Sequence, residues 1–342
     1  MGLEEINGHE LTRTKNEPTR TIKIDEPMRT ENELIELCKI LKEKDNFVLA
    51  THLNYDPDAL GSLISLGIIL KKLNKNFFIY FEEEIHSQFQ FIPLKEKLTK
   101  NFNQNFDIAI VLDCDRLSRT GENFYSTLRN KFTILIDHHQ TNLKDANFNL
   151  VMETNSTSEI IYYLTKELNI DFDQDSATTL LLGILGDTLI LTVEMEKEKL
   201  LKNFEIVKNL IEKGGNYNLV VEALKNKNWN EFRDILEWSS KAKLEDSILF
   251  LLIDEKEDNL EGIANFLSQV RKAKIVAVLE KRSKGVKISL RSKNDINVGY
   301  LAKEYFNGGG HKNAAGGFLE MDIGSAKNFV LEKLKEYLNN LV

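Results

Sequence analysis

Apolar residues along this chain alternate between two rhythms. From Asn32 onward Leu34, Ile35, Cys38 and Leu41 recur at helical spacing, and the apolar run within Asn46–His52 then predicts a buried strand. Asp58–Leu73 predicts a helix, Asn76–Phe81 a second strand, and a helical stretch with Pro93 inside it follows. Phe106–Asp113 predicts a third strand, Phe132–Asp137 a fourth and Phe148–Met152 a short fifth. Strands alternating with helices at this spacing imply an α/β fold built on a parallel, doubly wound sheet. From Ser158 to about Lys243 the pattern is helical, with helices at Glu159–Leu168, Asp175–Leu185, Lys197–Lys213 and Trp229–Lys241. A second, smaller α/β unit begins with the strand Ile248–Ile253 and continues with a helix near Leu260–Val270. Strands Lys274–Glu280 and Val286–Arg291 and a helix Val298–Phe306 come next, broken at Gly308-Gly309-Gly310-His311. A closing helix, Ala326–Leu341, takes Ser325 as its N-cap.

This reading divides the chain into a polar, flexible arm (1–30, with some order around Thr21–Ile24), a first α/β domain (31–190), a helical linker (191–243) and a second domain (244–342). A length of 342 residues suits two cores better than one. The net charge of −8 gives the whole molecule no pull toward long nucleic acid or an anionic membrane, while leaving room for a locally basic pocket. Two cysteines, Cys38 and Cys114, make neither a disulfide framework nor a thiolate cage, and a reducing, cytoplasmic setting is expected. No apolar stretch reaches the roughly 18 residues of a spanning helix, and no signal-peptide core stands at the N-terminus.

Chemistry concentrates where strands end. The first strand runs into His52-Leu-Asn-Tyr-Asp56-Pro-Asp58-Ala-Leu-Gly61-Ser62, the third ends at Asp113-Cys114-Asp115, and the fourth closes on Asp137-His138-His139. In open α/β sheets ligands sit beyond the carboxyl ends of the strands. Taken singly, Asp58 reads as a helix cap and Asp113 as a polar strand exit; taken together they leave His52, Asp56 and the two imidazoles to be explained. Asp187 follows an apolar helical run flanked by Gly183 and Gly186, where an unpartnered buried carboxylate would be costly. Carboxylates and imidazoles without thiolate favour Mn²⁺- or Mg²⁺-like ions. Six such side chains exceed the needs of one ion, whereas two ions about 3.5–4 Å apart, sharing a carboxylate, use them well for phosphoester hydrolysis.

At these residues the chain resembles the DHH phosphoesterase superfamily, named for the signature at Asp137-His138-His139. The ordered match runs His52-x3-Asp56-x-Asp58-x2-Gly61-Ser62, then Asp113, then Asp137-His138-His139, then Gly186-Asp187-Thr188. Ser289-Leu-Arg291-Ser292 with Gly308-Gly-Gly-His311-x2-Ala314-Ala315-Gly316 resembles the C-terminal substrate domain of the nanoRNase/oligoribonuclease (NrnA-like) and RecJ branch. The resemblance implies one Mn²⁺ on His52, Asp56 and Asp113 and a second on Asp58, Asp113, His138 and Asp187, with Asp113 bridging. Mg²⁺ or another divalent ion would fit the same ligands. Asp137 would orient a histidine, and His139 would stand by the scissile phosphate, both acting with Asp113 in catalysis. Arg291, Ser292, Gly308, Gly309, Gly310 and His311 would hold substrate, the glycines through backbone N–H groups. Ser156-Thr157-Ser158-Glu159 matches a family motif but reads as a helix cap.

Two departures stand out. The first loop reads Asn54-Tyr-Asp-Pro-Asp58, which alters the turn and keeps the ligands; Thr188-Leu-Ile-Leu-Thr-Val-Glu-Met195 lacks the family's aromatic stretch, which puts substrate contacts from that segment in question. The implied activity is Mn²⁺-dependent trimming of short RNA or DNA oligonucleotides and linear dinucleotides to mononucleotides, with pAp 3′-phosphatase activity beside it. Such an enzyme works away from membranes, and a homodimer is compatible with it. The alternatives are a cyclic-dinucleotide phosphodiesterase and a nucleotide-binding regulator without turnover. The basic run Lys281-Arg282-Ser-Lys284-Gly-Val-Lys287 reads as a solvated hairpin before it reads as a nucleic-acid contact.

Overall fold

A computed structural model describes residues 26–101, 105–139, 142–193, 195–254 and 262–340. The arm up to residue 25 and Leu260 lie outside them. In chain order the first half contains α1 (Glu26–Glu43), β1 (Phe47–Ala50), α2 (Pro57–Lys72), β2 (Phe77–Tyr80), β3 (Leu98–Thr99), β4 (Ile108–Leu112), α3 (Glu122–Thr127), β5 (Phe132–Asp137), β6 (Phe148–Val151), α4 (Thr157–Glu167) and α5 (Gln174–Asp187). The helices α6 (Lys197–Glu212), α7 (Tyr217–Lys225) and α8 (Trp229–Ser240) follow. The second half is β7 (Lys243–Glu245), β8 (Ile248–Ile253), α9 (Ile263–Ser268), β9 (Ile275–Arg282), β10 (Gly285–Ser292), α10 (Val298–Tyr305), β11 (Gly309–Gly310), β12 (Ala314–Leu319) and α11 (Ile323–Asn339).

The first sheet is wholly parallel, in the order β3-β2-β1-β4-β5-β6. Its central strands β1 and β4 are buried end to end, and β5 throughout except for the exposed Phe132, as expected of a sheet covered on both faces. Strand order reverses at β1, which pairs with β2 on one side and β4 on the other. Parallel strands need long crossovers, so the exits of β1 and β4 are left as a crevice between diverging connections. The second sheet, β11-β12-β10-β9-β8-β7, is antiparallel except for the β8–β9 pair.

The helix α2 is buried from Asp58 through Leu70, because the sheet covers one side and α4 and α5 the other. Glycine makes this contact close. A Cβ on Gly61 would stand 2.7 Å from both the Gly183 nitrogen and the Thr179 carbonyl, and one on Gly183 would meet Ser158 Oγ and, at 2.5 Å, Asp58 Oδ1. Backbone therefore touches backbone where α2 crosses α5, with Ser65 Oγ donating to Thr179 Oγ1 at 2.9 Å beside the crossing.

Several sequence expectations need correction. Residues 82–99 form two single 3₁₀ turns and the edge strand β3 rather than a helix, consistent with Pro93 and with Leu94 at φ 62°. The helix α1 starts at Glu26, inside the span read as a flexible arm. Asp56, not Asp58, caps α2, accepting from the backbone N–H of Asp58 and Ala59. The cap of α11 is Asp322, three residues before the expected Ser325, because its carboxylate accepts from Gly324 and Ser325. β12 was hidden in the glycine-alanine motif, and α7 in the linker, where Asn216 caps it.

Replacing Gly183 by Ala is expected to lower the stability of the fold by ~2–3 kcal/mol, since none of the atoms it would strike is the end of a long, flexible side chain. Gly316→Ala, whose Cβ would meet only the Ile288 carbonyl at 3.4 Å, should stay within ~1 kcal/mol. Urea midpoints of the two variants test this; equal shifts would contradict the close crossing.

Candidate metal centre and the wall facing it

Five segments deliver the site. β1 leads to His52 and then to Asp56 and Asp58 at the start of α2; β4 leads to Asp113; β5 ends at Asp137 and leads to His138 and His139; α5 ends at Asp187. At the centre, Asp113 directs its two oxygens to different imidazoles. Oδ2 lies 3.8 Å from His52 Nε2, while Oδ1 lies 3.5 Å from His138 Nε2. His52 Nε2 also faces Asp56 Oδ2 at 3.9 Å, and His138 Nε2 faces Asp187 Oδ2 at 3.2 Å. Ligand atoms of His52, Asp56 and Asp113 form one group within 4.8 Å, and those of Asp58, His138 and Asp187 form another. Asp113 sits at φ 57°, an uncommon conformation for a non-glycine, which turns the chain sharply at the strand exit.

The supporting hydrogen bonds are as specific as the cluster. Thr157 and Ser158, the first residues of α4, donate their backbone N–H groups to Asp58 Oδ2 at 2.6 Å and Oδ1 at 2.9 Å. Free N–H groups at a helix start favour a carboxylate, so α4 holds Asp58 in place. The Thr157 hydroxyl donates to Asp113 Oδ1 at 2.9 Å. The Ser156 side chain accepts from Glu159 N, which is the capping role expected for this motif; the two residues between them also serve the carboxylate cluster. Asp137 is fully buried, with Oδ1 2.7 Å from His139 Nδ1 and Oδ2 accepting from Asn142 Nδ2 at 2.6 Å.

The charges are unbalanced. Burial pushes Asp58 and Asp187 well above the usual carboxylate range, Asp58 helped by Asp113 and Asp187 by Asp58. Burial and then the His139 charge lower His138. Burial also opposes the charged form of His52, but the nearby carboxylates of Asp113 and Asp56 outweigh it and raise His52 to about 8. His139 is raised to about 9 in the same way, its burial overcome by Asp137. Among the described residues no Lys or Arg lies within 4 Å of Asp56, Asp58, Asp113 or Asp187. Clustered acids without a cation fit divalent ions, and the oxygen and imidazole donors suit Mn²⁺ or Mg²⁺.

The second sheet supplies the opposite wall. The His311 ring lies 5.1 Å from that of His138 and 5.2 Å from that of His139. Burial lowers His311 to about 3, with the His138, His139 and Arg291 charges contributing, so His311 is neutral. Arg291 comes near through register: it stands opposite Ala314 on β12, and His311 closes a tight turn onto Ala314 by reciprocal backbone bonds of 2.8 and 3.3 Å. Arg291 Nε donates to Asn265 Oδ1 at 2.5 Å and Nη1 to the Leu290 carbonyl at 2.8 Å. Burial lowers its pKa, and no carboxylate lies within 4 Å of it among the described residues.

The structure gives two expected substrate residues other work. Ser292 Oγ donates to the Ile296 carbonyl at 2.6 Å and accepts from Asn313 Nδ2 at 3.3 Å, which fixes the loop after β10. Gly308 donates its N–H to the Ala302 carbonyl and ends α10, so that N–H is not free for an anion. The glycines serve close packing, since a Cβ on Gly310 would stand 2.6 Å from the Ala314 carbonyl. The basic run forms the β9–β10 hairpin, where Arg282 and Lys287 both pair with Glu280. After Asp187, Leu189, Ile190 and Leu191 adopt φ of 47°, 60° and 59° in succession, a left-handed turn that is strained for such side chains.

Sequence reasoning missed Asn142, Asn265 and the amides of Thr157 and Ser158. Asn142 follows His139 by three residues and could have been suspected from that spacing alone; Asn265 carries no local signal.

Comparison with known proteins agrees with this layout. The DHH family N-terminal domain matches residues 46–184 and the DHHA1 domain residues 245–340. The bifunctional oligoribonuclease and PAP phosphatase NrnA of Thermus thermophilus is 26% identical over 310 residues, 88% of this chain and 93% of that protein. An exopolyphosphatase-related protein from Bacteroides fragilis, 21% identical, superposes with a TM-score of 0.78 over 90% of this chain and 96% of its own. RecJ of Thermus thermophilus in complex with Mn²⁺, 16% identical, does so at 0.51 over 92% of this chain and 55% of its own. With both domain matches in chain order around one His/Asp cluster, the chain carries a DHH family N-terminal domain followed by a DHHA1 domain, the domain pair of a phosphoesterase enzyme.

Proposed function

We propose that this chain is a divalent-metal phosphodiesterase that hydrolyses short oligonucleotides, linear dinucleotides among them, to mononucleotides, with pAp as a further substrate. The carrying observation is Asp113, whose two oxygens face His52 and His138 and so divide the cluster into two adjoining ligand sets. His52, Asp56 and Asp113 would hold one ion, and Asp58, Asp113, His138 and Asp187 the other. Mn²⁺ is the first candidate and Mg²⁺ the second; the donors suit both, and RecJ of the same fold is seen in complex with each. When bound, such a pair supplies Lewis acidity toward a water and a phosphoryl oxygen.

The remaining steps belong to the chain's own side chains. Asp137 holds His139 by Nδ1 and keeps it charged, which leaves Nε2–H to donate to the leaving oxygen. Asn142 fixes the other oxygen of Asp137 and so the angle of that ring. Arg291, which has no acid within 4 Å among the described residues, takes a second phosphate of the substrate, and neutral His311 closes the gap between the walls. A substrate seen from both sides in this way is short, and the NrnA relative carries that activity in its name.

Labelled RNAs of two to about twenty-four nucleotides, assayed with Mn²⁺ beside pAp and a cyclic dinucleotide, should show rapid loss of the shortest RNAs with long ones spared. Preference for the cyclic dinucleotide, or tight nucleotide binding with no turnover, would replace this reading by one of its alternatives. Asp113→Ala should reduce turnover on the order of 10³-fold or more, since several kcal/mol of metal stabilisation is lost at once. Near-normal turnover in that variant would remove the bridging role.

Metal affinity should rise with pH. In the metal-free fold Asp58 and Asp187 are raised and His52 stands at about 8, so each proton must leave before its atom can ligate. Affinity therefore climbs as pH increases toward about 8, with proton release visible by Mn²⁺ calorimetry in two buffers of different ionisation enthalpy. A pH-independent affinity between 6 and 8 would show that these groups are not the ligands.

A further inference from the structure

We propose that Asn265 is the positioning residue that makes Arg291 a phosphate receptor, and that its being an amide rather than an acid is what sets this affinity; this rests on the reading of Arg291 given above. An arginine has five N–H donors in a planar fork. Here Nε is committed to Asn265 Oδ1 at 2.5 Å and one Nη1 hydrogen to the Leu290 carbonyl at 2.8 Å. What remains is the end of the fork, the second hydrogen of Nη1 with the two of Nη2, which suits two oxygens of a terminal phosphate. Both fixed partners are neutral. The guanidinium is partly buried and held at two points, and among the described residues no carboxylate within 4 Å compensates its charge.

The fold brings this amide to Arg291 from a separate element. Asn265 lies on α9, which packs across β9 and β10, the strand that carries Arg291. Within β10 the neighbours of Arg291 across the sheet are Val276 and Ala314, which offer no side-chain acceptor. A side chain from outside the sheet must then orient the guanidinium, and an acid in that place would do so equally well while cancelling its charge.

That difference gives the test. The Mn²⁺-loaded wild type, Asn265→Ala and Asn265→Asp are compared in KM and kcat for pApA hydrolysis, in Kd for AMP by calorimetry, in Mn²⁺ stoichiometry and in melting temperature. Asn265→Asp keeps the shape and the hydrogen bond to Nε, so a merely structural role predicts wild-type behaviour. The proposal predicts that KM for pApA and Kd for AMP rise about tenfold or more in Asn265→Asp, the equivalent of losing one charge-assisted contact. In Asn265→Ala they should rise about three- to tenfold, with kcat, metal stoichiometry and melting temperature close to wild type in both. Unchanged KM and Kd in Asn265→Asp would overturn it, as would a loss confined to kcat or to metal. If the wild type binds AMP but does not hydrolyse pApA, the hydrolase reading fails and the Kd comparison still decides the role of Asn265. If it does neither, Arg291 is not a phosphate receptor and the proposal falls with it.

Discussion

The centre depends on the close passage of α2 over α5 at Gly61 and Gly183. Without side chains at that point, the start of α2, the end of α5 and the start of α4 occupy one small volume. Asp58, Asp187 and the amides of Thr157 and Ser158 are then neighbours although they come from three helices. A methyl group inserted there would push apart the carboxylates themselves, because Asp58 Oδ1 is one of the atoms it would meet. Packing and chemistry share a single contact in this fold. The sheet contributes the other half of the arrangement, since reversal of strand order at β1 leaves the exits of β1 and β4 open side by side.

Charge is separated across the cleft in a way that net charge conceals. One wall gathers acids that no Lys or Arg approaches within ion-pair distance among the described residues, and the other presents Arg291 beside neutral acceptors. Each wall is costly alone, and under the proposed function divalent cations on one side and a phosphorylated chain on the other would offset those costs. His139 stands between them, tied to Asp137 at 2.7 Å, and the His311 ring stacks against it. Nothing in this arrangement needs a basic surface, and the basic hairpin is in fact neutralised in part by Glu280.

Most of this was legible in the sequence, for a physical reason. Buried parallel strands announce themselves as apolar runs, and a charged residue at the end of such a run has few explanations, so His52, Asp113 and Asp137-His138-His139 could be read directly. Asp187 was found because its flanking glycines and its apolar helix left its charge unexplained. What failed to show was whatever depends on backbone or on distant pairing. The N–H groups of Thr157 and Ser158 have no residue-type signature, and Asn265 meets Arg291 from 26 positions away. Asp58 looked like the cap of α2, but Asp56 does that work with one oxygen while its other faces His52. The Gly308–Gly310 segment read as an anion cradle, whereas Asn307 at φ 48° and the Gly308 bond to Ala302 make it a helix end and a strand pressed against its neighbour.

The reach of the Asp58 bonds has a consequence for how the molecule comes to exist. Its two amide partners lie 99 and 100 residues downstream, and the Thr157 bond to Asp113 spans another 44. Closing loops of that length is entropically expensive and must precede any reward from the contacts they enable. A nascent chain that has emerged only through β1 and α2 holds His52, Asp56 and Asp58 and can cap α2 with Asp56, but it lacks the amides that hold Asp58 and the Asp113 carboxylate that faces His52. The cluster can therefore mature only after α4 and α5 have docked, and an ion joining it stabilises a finished domain instead of seeding one.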